Sequence, residues 1–427
     1  MFTRLKTLRG AYPTQFWLMF FGMIISTIGS SMVWPFLMMF ATGQIGLSKT
    51  AAGSLLTINS AVSMAAAFLA GPVIDRLGRK WIMAVSLLGI SGVYIFYTQA
   101  DSYLFVAVLM ALTGFFNPLY RVGADAMMAD LIPSPQRPEG YALLRMANNL
   151  GIAIGPAIGG MLAVTSYDIS FLGAAAGMGL YGLVIAFFAR ETLPPRALLH
   201  SEAADGAVDG DDHSGAATPT QKERLGGYLT VLRDRPFLSF IIAFTITQFC
   251  AALIWVMLGV HAQDNYGLRE DQYGLIPITN AVMVVGLQAV VTRQTRRHAP
   301  LPVLAVGSFF YAAAVTSVAF GAGFWGFWLS MIIMTTGELM LMPTSTTYTA
   351  DLAPAHMRGR YMSVYSLTWG IAQGIAPLAG GLLADQVSPS APWLAGGAAG
   401  MLAVLAFVVL ARRTARREKE NTLATGD

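Results

Sequence analysis

The decapeptide GIAIGPAIGG at Gly151–Gly160 has a counterpart 221 residues later, AQGIAPLAGG at Ala372–Gly381. Aligning 129–163 with 350–384 at that shift makes eleven of thirty-five positions identical, among them Asp130 with Asp351, Arg137 with Arg358 and Pro156 with Pro377; apolar composition alone gives roughly three. A fainter echo at a shift of 217 pairs Arg76, Arg79 and Lys80 with Arg293, Arg296 and Arg297, while Asp75 becomes Thr292. The chain therefore reads as two parallel copies of one unit.

Both copies are built from apolar stretches. Long apolar runs cover 15–41, 50–74, 81–99, 103–129, 141–164, 171–189, 237–261, 274–292, 301–320, 325–348, 361–384 and 393–411. At roughly 20 apolar residues per crossing, these predict an all-α integral membrane protein with twelve transmembrane helices in two pseudo-symmetric six-helix bundles. Of 427 residues, 55% are hydrophobic and only 12% charged, and the mean hydropathy is +0.57, which leaves no length for a large soluble catalytic module. The expected organisation is a first bundle over 1–189, a cytoplasmic linker over 190–236 with a surface helix near Leu225–Leu232, a second bundle over 237–411 and a basic tail over 412–427. The linker is acidic and rich in Gly, Ala, Ser and Thr, a composition that buries no core, and its Asp205, Asp209, Asp211 and Asp212 lack the spacing of a calcium loop.

The net charge of +4 has a topological cause. With the N-terminus inside, twenty-three Lys and Arg residues fall in inside segments and only Lys49 and Arg269 in outside loops. This is the positive-inside pattern: it predicts a multi-pass protein of the cell (plasma) membrane with both termini cytoplasmic, and it accounts for the basic balance without nucleic acid. Cys250 is the one cysteine, and the five histidines at 200, 213, 261, 298 and 356 are scattered. Neither a metal cluster nor a nucleophile–base pair is expected, so the chain reads as no enzyme and as needing no cofactor.

Two motifs carry a resemblance. GPVIDRLGRK at Gly71–Lys80, between the second and third spans, looks like the loop signature of the major facilitator superfamily, and the Gly151–Gly160 stretch resembles the antiporter signature of its drug:H+ antiporter branch, the twelve-span multidrug efflux carriers. With the spans and the linker, the likeness covers nearly the whole chain. It implies the major facilitator fold, a functional monomer and alternating access driven by a proton gradient. It also implies gating roles for Gly71, Asp75, Arg76, Gly78, Arg79, Lys80 and Asp130. Asp75 would approach the start of the eleventh helix near Tyr361, and Arg79 would pair with Asp130, both holding an outward-open state. Helix 4 departs from the branch pattern: Arg121 is followed four residues later by Asp125 and not by glycine.

The residues have a physical reading beside the likeness. Gly151, Gly155 and Gly159 fall four apart on one helical face and admit a close neighbour, and Pro156 bends the helix. The resemblance implies that this face, with Gly160, seals the seam between halves, with Pro377, Gly380 and Gly381 of the eleventh helix as partner. Glu338 stands near the middle of its span, where an ionisable side chain is costly and seldom accidental, and is the leading proton carrier. Arg121 and Asp125, four apart, can pair within their helix and are the further coupling candidates. Arg145, Asn148, Trp255, Tyr365 and Trp369 are candidates for the substrate cavity.

Twenty-three methionines and 11% aromatic residues suit an adaptable apolar cavity. The expected activity is secondary active export of small lipophilic or cationic, drug-like compounds in exchange for protons. The alternatives are a proton-coupled sugar or metabolite exporter of the same fold, for which Asn59, Asn117, Asn148, Asn149, Gln248, Asn280 and Gln373 supply polar groups, and a receptor or scaffold that transports nothing.

Overall fold

The computed structural model describes residues 12–133, 136–193, 230–354 and 357–425. Among the described residues the fold is all-α, and twelve helices are long and apolar enough to cross a membrane. We number them α1 (Thr14–Gly43, interrupted by a 3₁₀ turn at Trp34–Phe36), α2 (Lys49–Leu77), α3 (Arg79–Tyr97), α4 (Tyr103–Leu131), α5 (Arg137–Thr165), α6 (Tyr167–Phe188), α7 (Arg235–Tyr266), α8 (Glu270–Thr295), α9 (Pro300–Phe320), α10 (Gly323–Leu352), α11 (Arg358–Gln386) and α12 (Ala391–Thr425). The linker lies outside the described residues apart from its edges, as does most of the proposed surface helix.

Local chemistry sets the helix ends. Ser48, Ser166 and Asp234 cap α2, α6 and α7 with side-chain oxygens that accept from backbone N–H groups, an arrangement worth about 1 kcal/mol per cap. Gly78, at φ +90°, turns the chain directly from α2 into α3, a conformation that disfavours any side chain. Interior prolines occur in α2, α4, α5, α8, α10 and α11, at Pro72, Pro118, Pro156, Pro277, Pro343 and Pro377, where neighbouring helices can take up the freed backbone groups.

The repeat seen in the sequence governs the packing. Within the first six helices the principal neighbours are α2 with α4, α3 with α6, α1 with α5, α3 with α4 and α1 with α6; within the last six they are α8 with α10, α9 with α12, α7 with α11, α9 with α10 and α7 with α12. Every pair in the first set has its equivalent six helices on. Two principal contacts join the sets, α2 with α11 and α5 with α8, and these too are equivalent.

Both joining contacts put glycine against backbone. A Cβ on Gly53 would strike the carbonyl of Pro377, and one on Gly381 the carbonyl of Lys49; at the other seam Gly274 meets the carbonyl of Pro156, and Gly160 that of Glu270. Gly53 and Gly274, Lys49 and Glu270, Pro156 and Pro377, and Gly160 and Gly381 are each 221 residues apart, so one local geometry is used twice.

This corrects the expected sealing face. Gly151, Gly155 and Gly159 pack on Thr27, Ser31 and Met32 of α1, inside the first six-helix set, and Gly380 packs on Met257 and Leu253 of α7. Gly160 and the carbonyl of Pro156 are the parts of the motif that face the other half, and their partner is α8, not α11. A four-residue glycine period identifies a close contact but does not say with which helix.

Candidate transport site

Among the described residues the two halves make their polar contacts toward one end. Call the end carrying Arg79, Arg137, Arg296 and Arg358 the basic end, and the end carrying Lys49 and Glu270 the far end. At the far end Lys49 makes an ion pair with Asp264 of α7 at 2.9 Å, the Tyr167 hydroxyl donates to Glu270 at 2.8 Å and the Thr57 hydroxyl donates to the carbonyl of Gly374 at 2.5 Å. At the basic end a Cβ added at Gly71 or Gly359 would meet open space. Among the described residues, no hydrogen bond or ion pair joins the halves there. The molecule is closed at the far end and open at the basic end.

Glu338 lies on α10, sixteenth of its thirty residues, half-buried beside this opening. The buried Asn280 of α8 donates from Nδ2 to its carboxylate at 2.6 Å and to the Thr335 hydroxyl at 3.1 Å, while that hydroxyl donates to the carbonyl of Met331. From the other half, the charge of the exposed Arg145 on α5 reaches Glu338 without contact. An ionised carboxylate surrounded by apolar helices needs donors or a countercharge; one amide and one distant guanidinium supply them only in part. This leaves the group able to take up a proton or a cation.

The remaining cavity candidates sit in separate local settings. The Asn148 side chain accepts from the Thr27 hydroxyl at 3.3 Å, Tyr365 stacks on Phe244 with ring centres 5.3 Å apart and lies 2.8 Å from the Ser345 hydroxyl, Trp255 is half-buried and Trp369 is exposed. Arg121 and Asp125 are both exposed on α4, one turn apart; they act on each other through charge but form no ion contact.

At the basic end, Arg79 makes an ion pair with Asp130 and donates to the Thr192 hydroxyl at 3.3 Å. The Glu191 carboxylate accepts from the backbone N–H groups of Arg79 at 3.0 Å and Lys80 at 3.1 Å, capping α3; a Cβ on Gly78 would collide with it. Asp75 and Arg76 are exposed, and neither makes a hydrogen bond or ion pair. The two halves of the expected latch therefore behave differently. The Arg79–Asp130 pair lies within one six-helix set and is present in this conformation. Glu191 was missed by the sequence reading because an acid just after a span is ordinary; its role as a cap depends on the chain end folding back on α3.

The family model described as Major Facilitator Superfamily matches residues 19–258 and 240–426. The chain belongs to the major facilitator superfamily. It is accordingly a multi-pass secondary active transporter, not an enzyme, and acts on a small molecule in a lipid bilayer. Among curated relatives, it is 27% identical over 367 residues to a Na(+), Li(+), K(+)/H(+) antiporter of Planococcus maritimus, covering 81% of this chain and 84% of that one. It is 24% identical over 401 residues to multidrug resistance protein MdtH of Escherichia coli, covering 92% and 94%. A crystal structure of the peptide transporter POT in complex with sulfate superposes with a TM-score of 0.74 over 95% of both chains at 20% identity, a likeness of fold. This superfamily transporter thus shares its helix arrangement with carriers of different cargo, and cargo must be argued from the site.

Proposed function

We propose that this transporter exports small lipophilic or cationic compounds in exchange for protons, with Glu338 as the group for which proton and cargo compete. The observation that carries the reading is the half-buried Glu338 carboxylate, held by Asn280 half-way along α10 and within reach of the charge of Arg145 from the other half. A proton, a bound cation and Arg145 are three ways to neutralise the same charge, and occupancy by one excludes the others. Mutually exclusive occupancy gives antiport. Arg121 and Asp125 on α4 supply a second charged face for proton movement, and Arg145, Asn148, Trp255, Tyr365 and Trp369 line the route.

The curated relatives agree with this chemistry, since one is named a monovalent cation/H+ antiporter and another a multidrug resistance protein. The division into bundles 1–189 and 237–411 joined by a cytoplasmic linker, the cytoplasmic termini, the plasma membrane location and a functional monomer complete the proposal; the asymmetry of basic residues supports the orientation. Purified transporter in sealed proteoliposomes tests it, with an imposed pH gradient and release of internal protons followed by a pH dye. Addition of a lipophilic cation such as ethidium is expected to dissipate the gradient. A response to Na+ or K+ and not to ethidium would move the cargo to inorganic cations, and a response to neither would overturn the proposal.

A further inference from the structure

Helices α2 and α11 run antiparallel. Lys49 faces Gly381, Gly53 faces Pro377, Thr57 meets Gly374 and Met64 lies against Gly370. Four residues beyond Gly381 comes Asp385, at the last turn of α11. Its carboxylate accepts from the backbone N–H of Lys49 at 3.3 Å, from the backbone N–H of Thr50 at 2.7 Å and from the Thr50 hydroxyl at 2.7 Å. These are unpaired donors of the first turn of α2, so an acid from one half caps a helix of the other and meets the positive end of its dipole.

The same register places a second acid at the other end of this helix pair. Asp75 lies eleven residues beyond Met64, and Gly359, in the first turn of α11, lies eleven before Gly370. Closing the basic end along the existing register would bring Asp75 to the start of α11. Each helix of the pair thus carries an aspartate in its last turn, and in this conformation Asp385 is engaged with the other's beginning while Asp75 is exposed.

We propose that Asp385 is a gating residue, the far-end counterpart of Asp75, and that the two aspartates exchange as caps when the transporter changes its open side. Lys49 strengthens the far-end cap because it offers its backbone N–H to Asp385 while its ammonium holds Asp264 of α7. The device is one-sided. At the equivalent seam Val164 occupies the position 221 residues before Asp385 and Glu270 the position 221 residues after Lys49, and Glu270 is held by Tyr167 and Gln263. The exchange acts through α2 and α11 alone, whatever the cargo, so overturning this assignment would leave the proposed function standing.

Spin labels at Asp101 and Val387 report the far end, and labels at Glu139 and Arg296 the basic end, each pair in a Cys250→Ser background with distances read by pulsed electron resonance. Asp385→Asn is expected to raise the ratio of far-end-open to far-end-closed molecules about tenfold, the scale of a charged cap lost from a partly buried helix end, with matching shortening at the basic end. Asp75→Asn should move the ratio the other way, and the double variant should return it toward the parent value. Thr50→Val, which removes one of the three bonds, should give a smaller shift of the same sign, and it serves if Asp385→Asn does not fold. Unchanged far-end distances in folded Asp385→Asn or Thr50→Val protein, or shifts of the same sign for Asp385→Asn and Asp75→Asn, would overturn the assignment.

Discussion

Gly53 rests against the carbonyl oxygen of Pro377, and the equivalent residue Gly274 rests against that of Pro156. The two contacts are the same piece of architecture, used once for α2 with α11 and once for α8 with α5. Both lie in the half of their helices nearer the far end. Without side chains between them, the backbones approach closely enough for Cα–H···O contacts worth about 0.5–1 kcal/mol each. A seam of such weak, additive contacts can open and close without unfolding either set.

Adding one methyl group at either glycine should therefore disfavour the far-end-closed form and little else. The clash is with backbone, which cannot move aside, and overpacking of this kind costs about 1–3 kcal/mol. Gly53→Ala and Gly274→Ala are both expected to increase labelling of a cysteine placed at Thr57 by a bulky, water-soluble maleimide. Gly151→Ala, which clashes with Thr27 inside the first six-helix set, should lower thermal stability and leave that labelling as it was. Equal labelling in all three would return the glycines to a purely structural role.

The basic-end loop should separate in the same way. Arg79 holds Asp130, Thr192 and, through its backbone, Glu191 in the conformation where the basic end is open. Asp130→Asn is expected to cost about 1–3 kcal/mol, the scale of a charge-assisted bond lost in a half-buried setting, seen as a lower melting temperature in detergent. Asp75→Asn removes no bond present in this conformation and should leave that temperature within error. A large loss of stability in Asp75→Asn would mean that its carboxylate is engaged in the resting protein.

The doubled six-helix pattern was legible because the repeat and the apolar runs are one-dimensional signals, and the depth of Glu338 follows from counting along α10. The seams were not legible in the same way. Lipid tails are as apolar as leucine, so the face a transmembrane helix turns to a partner leaves no amphipathic period. The glycines at 151, 155 and 159 stood out by spacing, yet Gly53 and Gly274, which join the halves, have no second glycine within two turns of them in their helices. Asp385 was invisible for another reason: an acid in the last turn of a span is unremarkable until the start of α2 is seen beside it.

Arg145 should matter through Glu338 and not through its own bonds, since its side chain makes no hydrogen bond or ion contact and only its charge reaches Glu338. Arg145→Ala is expected to lower pH-gradient-driven transport about tenfold, and Arg145→Lys to retain part of it, because the charge persists while the planar fork is lost. Combining Arg145→Ala with Glu338→Gln should cost no more than Glu338→Gln alone, the sign of two residues acting on one step. Additive losses would give Arg145 a separate role, such as direct contact with cargo.

The mechanism rests on Glu338→Gln. The amide keeps the shape of the side chain and can still bond to Asn280, but it carries no charge at any pH and has no proton to give up. Burying a neutral amide where a carboxylate stood removes a desolvation cost, so the variant should fold and run as a monodisperse species. Uptake of cargo driven by a pH gradient should vanish, and any remaining downhill movement should become independent of pH between about 5 and 8, the range in which the parent is expected to respond. Binding of a lipophilic cation, measured by fluorescence polarisation in detergent, should weaken as well, because proton and cargo are proposed to share the one charge. If Glu338→Gln still concentrates cargo against its gradient when a pH gradient is imposed, the coupling acid is elsewhere, and Asp125, exposed one turn from Arg121 on α4, is the next residue to replace.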